Sequence, residues 1–322
     1  MSDFRTDNTV LTNGIIKNNK FFPKMNLQSG TMRIVLTTQC NYKCKYCFAE
    51  GEKDKDYRIL DIEQIKKVIL IGKEFGINNI KLTGGEPLLY PYLEDLLKYI
   101  REIGIPYIDL TTNISLLTDS NIEMLNKYKV NALTLSLDTL KPEKFIYLSG
   151  FKNFNIVQKN LKNTITNFLG KLRVNCIVFD ELFDEEDYNN IINFCKNNNL
   201  VLRLVEPSIV ENCEITYKKE KFKYYINKLK NKADKIIQSN CSSVEYLFFE
   251  NWYITVMYSL CDNTHCTSCE KYMYIRVSSE MKLKPCLSRR DTEVDINFNS
   301  DDDIRSSFIE AINNMGIGIR NE

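Results

Sequence analysis

From about residue 32 to residue 205 the chain alternates short apolar runs with longer amphipathic ones, and this alternation limits the fold more than any other feature. Runs rich in β-branched and aromatic residues read as strands, and stretches with apolar residues three and four apart read as helices. Strands are expected over 32–37, 79–82, 107–111, 132–137, 172–179 and 200–205. Helices are expected over 61–75, 92–103, 120–128, 155–168 and 185–196, with a polar one over 218–232. In the first of these Ile62, Ile65 and Ile69 share a face, and Asp61 with Gln64 resembles a capping box. Strand and helix repeated in this way specify a parallel sheet with helices outside. Six units are too few to close an eight-stranded barrel. The expected fold is therefore α/β, a partial (β/α)6 TIM-type barrel. Ligands collect at the C-terminal strand ends of such folds, and Cys40, Gly84, Asn113 and Ser136 stand there. After about residue 238 short strands (246–249, 253–258, 274–278 and 282–284) surround a group of cysteines, which reads as a small C-terminal domain. The expected division is an N-terminal extension (1–31), the barrel (32–237) and that domain with its tail (238–322).

Forty-three basic and forty-two acidic residues nearly cancel, so no global field favours nucleic acid or a membrane surface. Apolar runs such as Val68 to Ile71 fall far short of the ~20 residues that span a bilayer. The polar stretch from Met1 to Asn13 does not read as a signal peptide, so a cytoplasmic location is expected. In that setting eleven cysteines at tight local spacings read as metal ligands rather than disulfides. Cys40, Cys44 and Cys47 form a C-x3-C-x2-C loop directly after a strand. Thiolates suit iron–sulfur clusters, and three of them on a cubane leave one iron open to an amine and a carboxylate. The alternative is a zinc loop, but structural zinc normally takes four nitrogen or sulfur ligands, and the only histidine is His265. Cys261, Cys266, Cys269 and Cys286 form a second group. Cys176 and Cys195 read as small buried hydrophobes. Cys213 and Cys241 stay open, as further ligands or as hydrogen donors.

The segment CNYKCKYCFAEG, from Cys40 to Gly51, resembles the signature loop of the radical S-adenosylmethionine (SAM) superfamily, including the aromatic Tyr46. LTGGEPLL, from Leu82 to Leu89, resembles that family's second-strand motif. The resemblance implies a [4Fe–4S] cluster on Cys40, Cys44 and Cys47, with the methionine amine of SAM received by Gly84, Gly85 and Glu86. It further implies reductive cleavage of SAM to a 5′-deoxyadenosyl radical that abstracts hydrogen from a substrate. From about residue 32 to 287 the chain resembles more closely the GTP 3′,8-cyclase branch. MRIVLTTQCN, LTTN, LSLDTL, FIYLSG, RVNCIV and LRLVEPS follow one another in that branch's order. On this resemblance Tyr46, Gly85 and Ser136 contact SAM, with Asn113 beside them. Thr112 or its neighbour Thr111 touches substrate, and Arg33, Lys81, Arg173 and Arg276 hold an anionic substrate. Cys266, Cys269 and Cys286 resemble the branch's auxiliary [4Fe–4S] module, and a zinc site is the alternative there. Cys261 is a possible fourth ligand, which would close that cluster; His265 reads as packing beside it. A one-electron donor such as flavodoxin or ferredoxin is also implied.

The chain departs from the branch in places. Lys81 stands where arginine is usual and Arg173 where lysine is usual, and the two are not equivalent in bidentate contacts. Tyr274 replaces the first arginine of an Arg-x-Arg pair, and the tail has Gly316 and Gly318 but no terminal glycine pair. Two functions are therefore expected. One is a lyase or cyclase for a small, phosphorylated substrate, a nucleotide above all. The other is a maturase that crosslinks or epimerises a ribosomal peptide. The 31 residues before the first strand are short for the peptide-recognition domain that maturases often carry, which favours the small molecule. A non-catalytic iron–sulfur scaffold would not need the Gly-Gly-Glu-Pro segment.

Overall fold

The computed structural model describes residues 30–47, 57–180, 182–207, 220–238, 244–258, 274–286 and 291–314, and the backbone alone at 14–17 and 20–23. Two compact units emerge: one of Met1–Gln39, Glu50–Ile108 and Asn263–Glu322, the other of Cys40–Ala49 and Asp109–Asp262.

The first unit opens with an antiparallel pair, β1 (Gly14–Lys17) and β2 (Lys20–Pro23). Then follow β3 (Gly30–Val35), α1 (Ile62–Glu74), β4 (Ile77–Thr83) and α2 (Leu93–Glu102). The strand β5 (Tyr107–Thr112) leads into the second unit. There the order is α3 (Asp119–Lys127), β6 (Ala132–Ser136), α4 (Pro142–Ser149), α5 (Phe154–Asn167), β7 (Lys171–Ile177), α6 (Glu185–Asn197) and β8 (Val201–Val205). The helix α7 (Glu220–Lys230) and the strands β9 (Lys235–Gln238), β10 (Val244–Phe249) and β11 (Trp252–Met257) complete it. The chain then returns to the first unit with β12 (Tyr274–Val277), β13 (Lys282–Lys284), β14 (Val294–Asp295) and α8 (Asp301–Asn313).

Strands in the first unit run in the order β14-β13-β12-β3-β4, and those of the second in the order β5-β6-β7-β8-β11-β10-β9. In the first, β12, β3 and β4 are parallel. In the second, β5 through β8 and β11 are parallel, while β9 and β10 return antiparallel. The parallel α/β sheet stays open, as in a partial TIM-type barrel. The strands after residue 238 join these ladders rather than standing apart: β11 lies along β8, and β12 lies along β3.

Local chemistry explains most elements. The Asp61 carboxylate accepts a hydrogen bond from the Gln64 N–H at 2.8 Å, so the predicted cap starts α1. Behind it Ile65, Val68 and Ile69 are fully buried. The strand expected over 32–37 is displaced toward its N-terminus, to Gly30–Val35, because Thr37 leaves the ladder to bridge Ile59. Among the described residues no helix is long and apolar enough to cross a membrane.

Candidate functional site

The loop after β3 is held by its backbone. The N–H groups of Lys43 and Lys45 donate to Ser149 O at 2.9 Å and Leu148 O at 3.0 Å, at the end of α4. Gly150 ends that helix with φ 66°, and a Cβ there would sit 3.2 Å from Lys43 O. Tyr42 is buried, stacks on Phe151 at 4.7 Å between centroids, and donates its hydroxyl to Asn113 O at 3.0 Å. Cys40 and Cys47 are exposed on this scaffold, and Cys44 is half-buried. The Cys40 sulfur accepts from the Tyr42 N–H at 3.4 Å and faces Asn113 Nδ2 at 3.8 Å.

Asn113 is fixed in turn. Its Nδ2 donates to Asn41 Oδ1 at 2.8 Å, and its Oδ1 accepts from the Ser115 hydroxyl at 2.6 Å. Ile114 between them holds φ 77°, a costly conformation for a β-branched residue. The Thr112 hydroxyl receives the Ile114 N–H at 3.2 Å, and Asn160 Nδ2 donates to Ile114 O and Ser115 O at 3.2 and 2.8 Å. Those contacts offset the strain and aim Asn113 at Cys40. The Tyr46 hydroxyl donates to the Asp138 carboxylate, which burial pushes up to about 6.

The Gly84-Gly85-Glu86 segment belongs to the first unit and follows β4. The Gly85 and Glu86 N–H groups donate to Thr37 O and Gln39 O, both at 2.7 Å. Gln39 immediately precedes Cys40, so this segment fixes the chain at the start of the cysteine loop. A Cβ on Gly84 would lie 2.5 Å from Thr37 O, and one on Gly85 would lie 2.2 Å from Gln39 O. Only glycine allows that approach. Glu86 is fully buried and caps the short turn Pro87–Leu89 through Leu88 N–H at 3.1 Å.

The sequence profile of the radical SAM superfamily matches residues 34–195, half of the chain. The chain belongs to the radical SAM superfamily. It is similar to the probable GTP 3′,8-cyclase of Methanocaldococcus jannaschii, 29% identical over 299 residues, covering 90% of this chain and 96% of that protein. It is 32% identical over 268 residues to the protein of the same name from Sulfurisphaera tokodaii, covering 82% of this chain and 83% of that one. Among solved structures it resembles native anSMEcpe with bound AdoMet, with a TM-score of 0.63, 16% identity, and coverage of 89% of this chain and 80% of that one. It also resembles Streptococcus suis SuiB bound to S-adenosylmethionine, with a TM-score of 0.61 and 19% identity. That likeness covers 80% of this chain but only 60% of SuiB. Both show the fold.

Radical SAM membership implies a [4Fe–4S] cluster and SAM, and the donor set of the loop fits the cluster. Burial, and then the neighbouring charges of Cys47, Asp138 and Cys40, hold the Cys44 thiol well above its ordinary range. Three thiolates carried on one short loop repel one another, and cations among them, as iron would supply, offset that repulsion. Among the described residues no three His, Cys, Asp or Glu side chains gather around a point that would suit a single metal ion. A cubane asks for a wider triangle, since each thiolate takes its own iron.

The basic residues named from the sequence are divided between the two units. In the first unit Arg276 lies beside Arg33 on β12 and β3, and Arg33 beside Lys81 on β3 and β4. Lys284 extends the row on β13, paired with Glu293 at 3.4 Å. The Tyr274 ring sits among them, with Lys81 Nζ 5.6 Å and Arg276 Cζ 4.7 Å from its centroid. Burial raises the Tyr274 phenol, but the charges of Arg33, Lys81 and Arg276 and a hydrogen bond from Arg33 outweigh it and leave it below the ordinary tyrosine range. Arg276 Nε is buried with no hydrogen-bond partner among the described residues.

Arg173, in the second unit, has a different setting. It pairs with Asp109 at 3.0 Å, and Asp109 also accepts from the Thr134 hydroxyl at 3.2 Å. The physical reason for expecting an anion at Arg173 is met inside the chain. Thr112 is buried and engaged with Ile114, Thr111 is half-buried on β5, and Ser136 is half-buried at the end of β6. Beside Ser136, in register on β7 and β8, stand Asn175 and Arg203, which sequence reasoning missed. Alternation along those strands would have revealed both. Asn41, Ser115 and Asn160 were missed too, and nothing in their local sequence marks them. Cys286 is half-buried, two residues past Lys284. Cys261, His265, Cys266 and Cys269, as well as Cys213 and Cys241, lie outside the described residues.

Proposed function

We propose that this chain reductively cleaves SAM at a [4Fe–4S] cluster on Cys40, Cys44 and Cys47, and uses that chemistry to cyclise or rearrange a small anionic substrate, a phosphorylated nucleotide of the GTP class. Bound there, cluster and SAM supply one-electron chemistry that the side chains cannot. A donor of the flavodoxin or ferredoxin type delivers the electron. The residues of the chain do the positioning. The Asn41, Asn113 and Ser115 network orients Cys40, and the Gly84 to Glu86 segment anchors the start of the loop. Tyr46, Gly84, Gly85, Glu86, Asn113 and Ser136 are the proposed SAM contacts.

The observation that carries the choice of substrate is the row Arg276, Arg33 and Lys81 across three neighbouring strands. Like charges set directly opposite one another destabilise a sheet. An anion bound over the row removes that cost, and phosphate oxygens suit guanidinium donors. The names of the two archaeal relatives point to the same class of substrate. Calorimetry on the SAM-loaded protein tests the reading with GTP, other nucleotides and candidate peptides. Arg276→Ala should weaken nucleotide binding about ten- to a hundredfold, the loss of one charged hydrogen bond of about 1.5–3 kcal/mol. If peptide binds and no nucleotide does, the maturase function replaces this one.

The proposal includes a second [4Fe–4S] cluster on Cys266, Cys269 and Cys286, with Cys261 as a possible fourth ligand, in the segment 238–322. Replacing Cys40, Cys44 and Cys47 together with alanine should leave roughly half the iron, because each cluster has its own thiolates. Zinc in that variant, or no metal at all, would show that the second group had been misread.

A further inference from the structure

The three cations of the first unit stand in one register on three strands, Arg276 on β12, Arg33 on β3 and Lys81 on β4. Neighbouring strands lie about 4.8 Å apart, so the two outer residues start roughly 10 Å from each other. A single phosphoryl group meets both only if their side chains converge. Tyr274 supplies the point of convergence. It stands two residues before Arg276 on β12, on the same face of the strand. Its neighbours in register are uncharged, Thr31 on β3 and Asn79 on β4, so its ring lies one row behind the cations. Lys81 starts on β4 and reaches across β3, and its Nζ lies over the Tyr274 ring, 5.6 Å from the centroid. The Arg276 guanidinium lies over the same ring, with Cζ 4.7 Å from the centroid. Both are distances at which the electron-rich face of a ring attracts a cation.

We infer that Tyr274 is a positioning residue whose ring gathers Lys81 and Arg276 onto one anionic group of the substrate. The inference rests on the anion site proposed above and deepens it. Lysine and arginine have many rotamers, and an anion that had to fix both by itself would lose affinity to their ordering. A ring that already holds them removes much of that loss. It also steadies two like charges drawn toward each other, and it adds no charge to the row. Arg276 Nε is buried with no hydrogen-bond partner among the described residues, so the gathered pair still has a donor to offer a ligand.

The test is calorimetry of the SAM-loaded full-length protein, with GTP and with inorganic pyrophosphate as a probe that has no base. Tyr274→Leu keeps an apolar side chain but removes the ring, and should weaken binding about three- to thirtyfold. Tyr274→Met takes its place if the leucine variant folds poorly. Tyr274→Phe, which keeps the ring and loses only the hydroxyl, should recover most of the loss. A phenylalanine variant as weak as the leucine one would put the effect in the hydroxyl and overturn the inference. A leucine variant that binds as tightly as the wild type would overturn it too. The third reading uses Lys81→Met. In that background the ring has one cation fewer to hold, so Tyr274→Leu should cost clearly less than it does with Lys81 present. Equal losses in the two backgrounds would mean that the ring serves only the packing of β12, and the inference would fall. Wild-type protein that binds neither probe would remove the anion site itself, and this inference with it.

Discussion

Cys44→Ala should abolish conversion of SAM to 5′-deoxyadenosine, leaving no turnover above the dithionite background. Cys44 is the middle cysteine of the loop and is half-buried where Cys40 and Cys47 are exposed, so as a proposed ligand it should have no exposed substitute. The fold should survive the change. Backbone bonds from Lys43 and Lys45 to α4, and the stacked Tyr42, hold the loop without the thiol. Circular dichroism should therefore match the wild type while the iron content falls. Chromatography of 5′-deoxyadenosine after anaerobic reconstitution decides the matter. A Cys44→Ala protein that still cleaves SAM would remove the first loop from the chemistry.

Gly85→Ala should be the most damaging single methyl group among the described glycines of the first unit. Its Cβ would meet the Gln39 carbonyl oxygen at 2.2 Å and the carbonyl carbon at 2.5 Å. Both atoms are backbone, so no side chain can rotate to make room. The two 2.7 Å bonds from Gly85 and Glu86 would have to lengthen, and with them the start of the cysteine loop would move. Overpacking typically costs about 1–3 kcal/mol, and a clash with backbone that no rotamer relieves belongs at the top of that range. Gly104→Ala is the comparison. Its φ of 76° strains any other residue, but the nearest atom to an added Cβ is Lys73 Nζ at 3.8 Å. That change should cost only the left-handed strain of about 1–2 kcal/mol. The urea midpoint should fall clearly further for Gly85→Ala; equal shifts would mean that the contact with Gln39 is softer than its geometry implies.

Much of the second unit and the front of the first was legible in the sequence because the apolar period there is local. Helices α1, α2, α3, α5 and α6 lie within a residue or so of their expected bounds, and strands β4 to β8 within two. The helix α4 was hidden by its sequence, which reads as the motif FIYLSG; Pro142 at its first turn was the missed signal. The helix α8 went unread although Ser300 caps it and three aspartates fill its first turn. The pairing of β11 with β8 and of β12 with β3 could not be read, since register between distant segments leaves no local trace. The site divides in the same way. Cysteine spacing and the glycine segment announce themselves, and Arg33, Lys81 and Arg276 are marked by charge within otherwise apolar strands. The pairing of Arg173 depended on Asp109, a partner 64 residues away. The Asn41, Ser115 and Asn160 network depended on contacts over comparable distances.

The ladder between β12 and β3 also says something about the order of assembly. Met32 lies along Ile275, so one side of β3 finds its partner only after more than two hundred further residues have left the ribosome. Until then β3 offers a bare parallel edge of the kind that other chains can capture. The helix α8 arrives later still, stacking Phe308 on Phe75 at 5.3 Å and clamping Glu74 with Arg305 at 2.7 Å. The second unit, nearly continuous in sequence, has no such wait. Distant parallel pairing is slow to form, because the loop between the partners must close before any contact stabilises it. The half-made chain is therefore exposed to misassembly at β3, and the row of Arg276, Arg33 and Lys81 cannot exist until that late closure has happened.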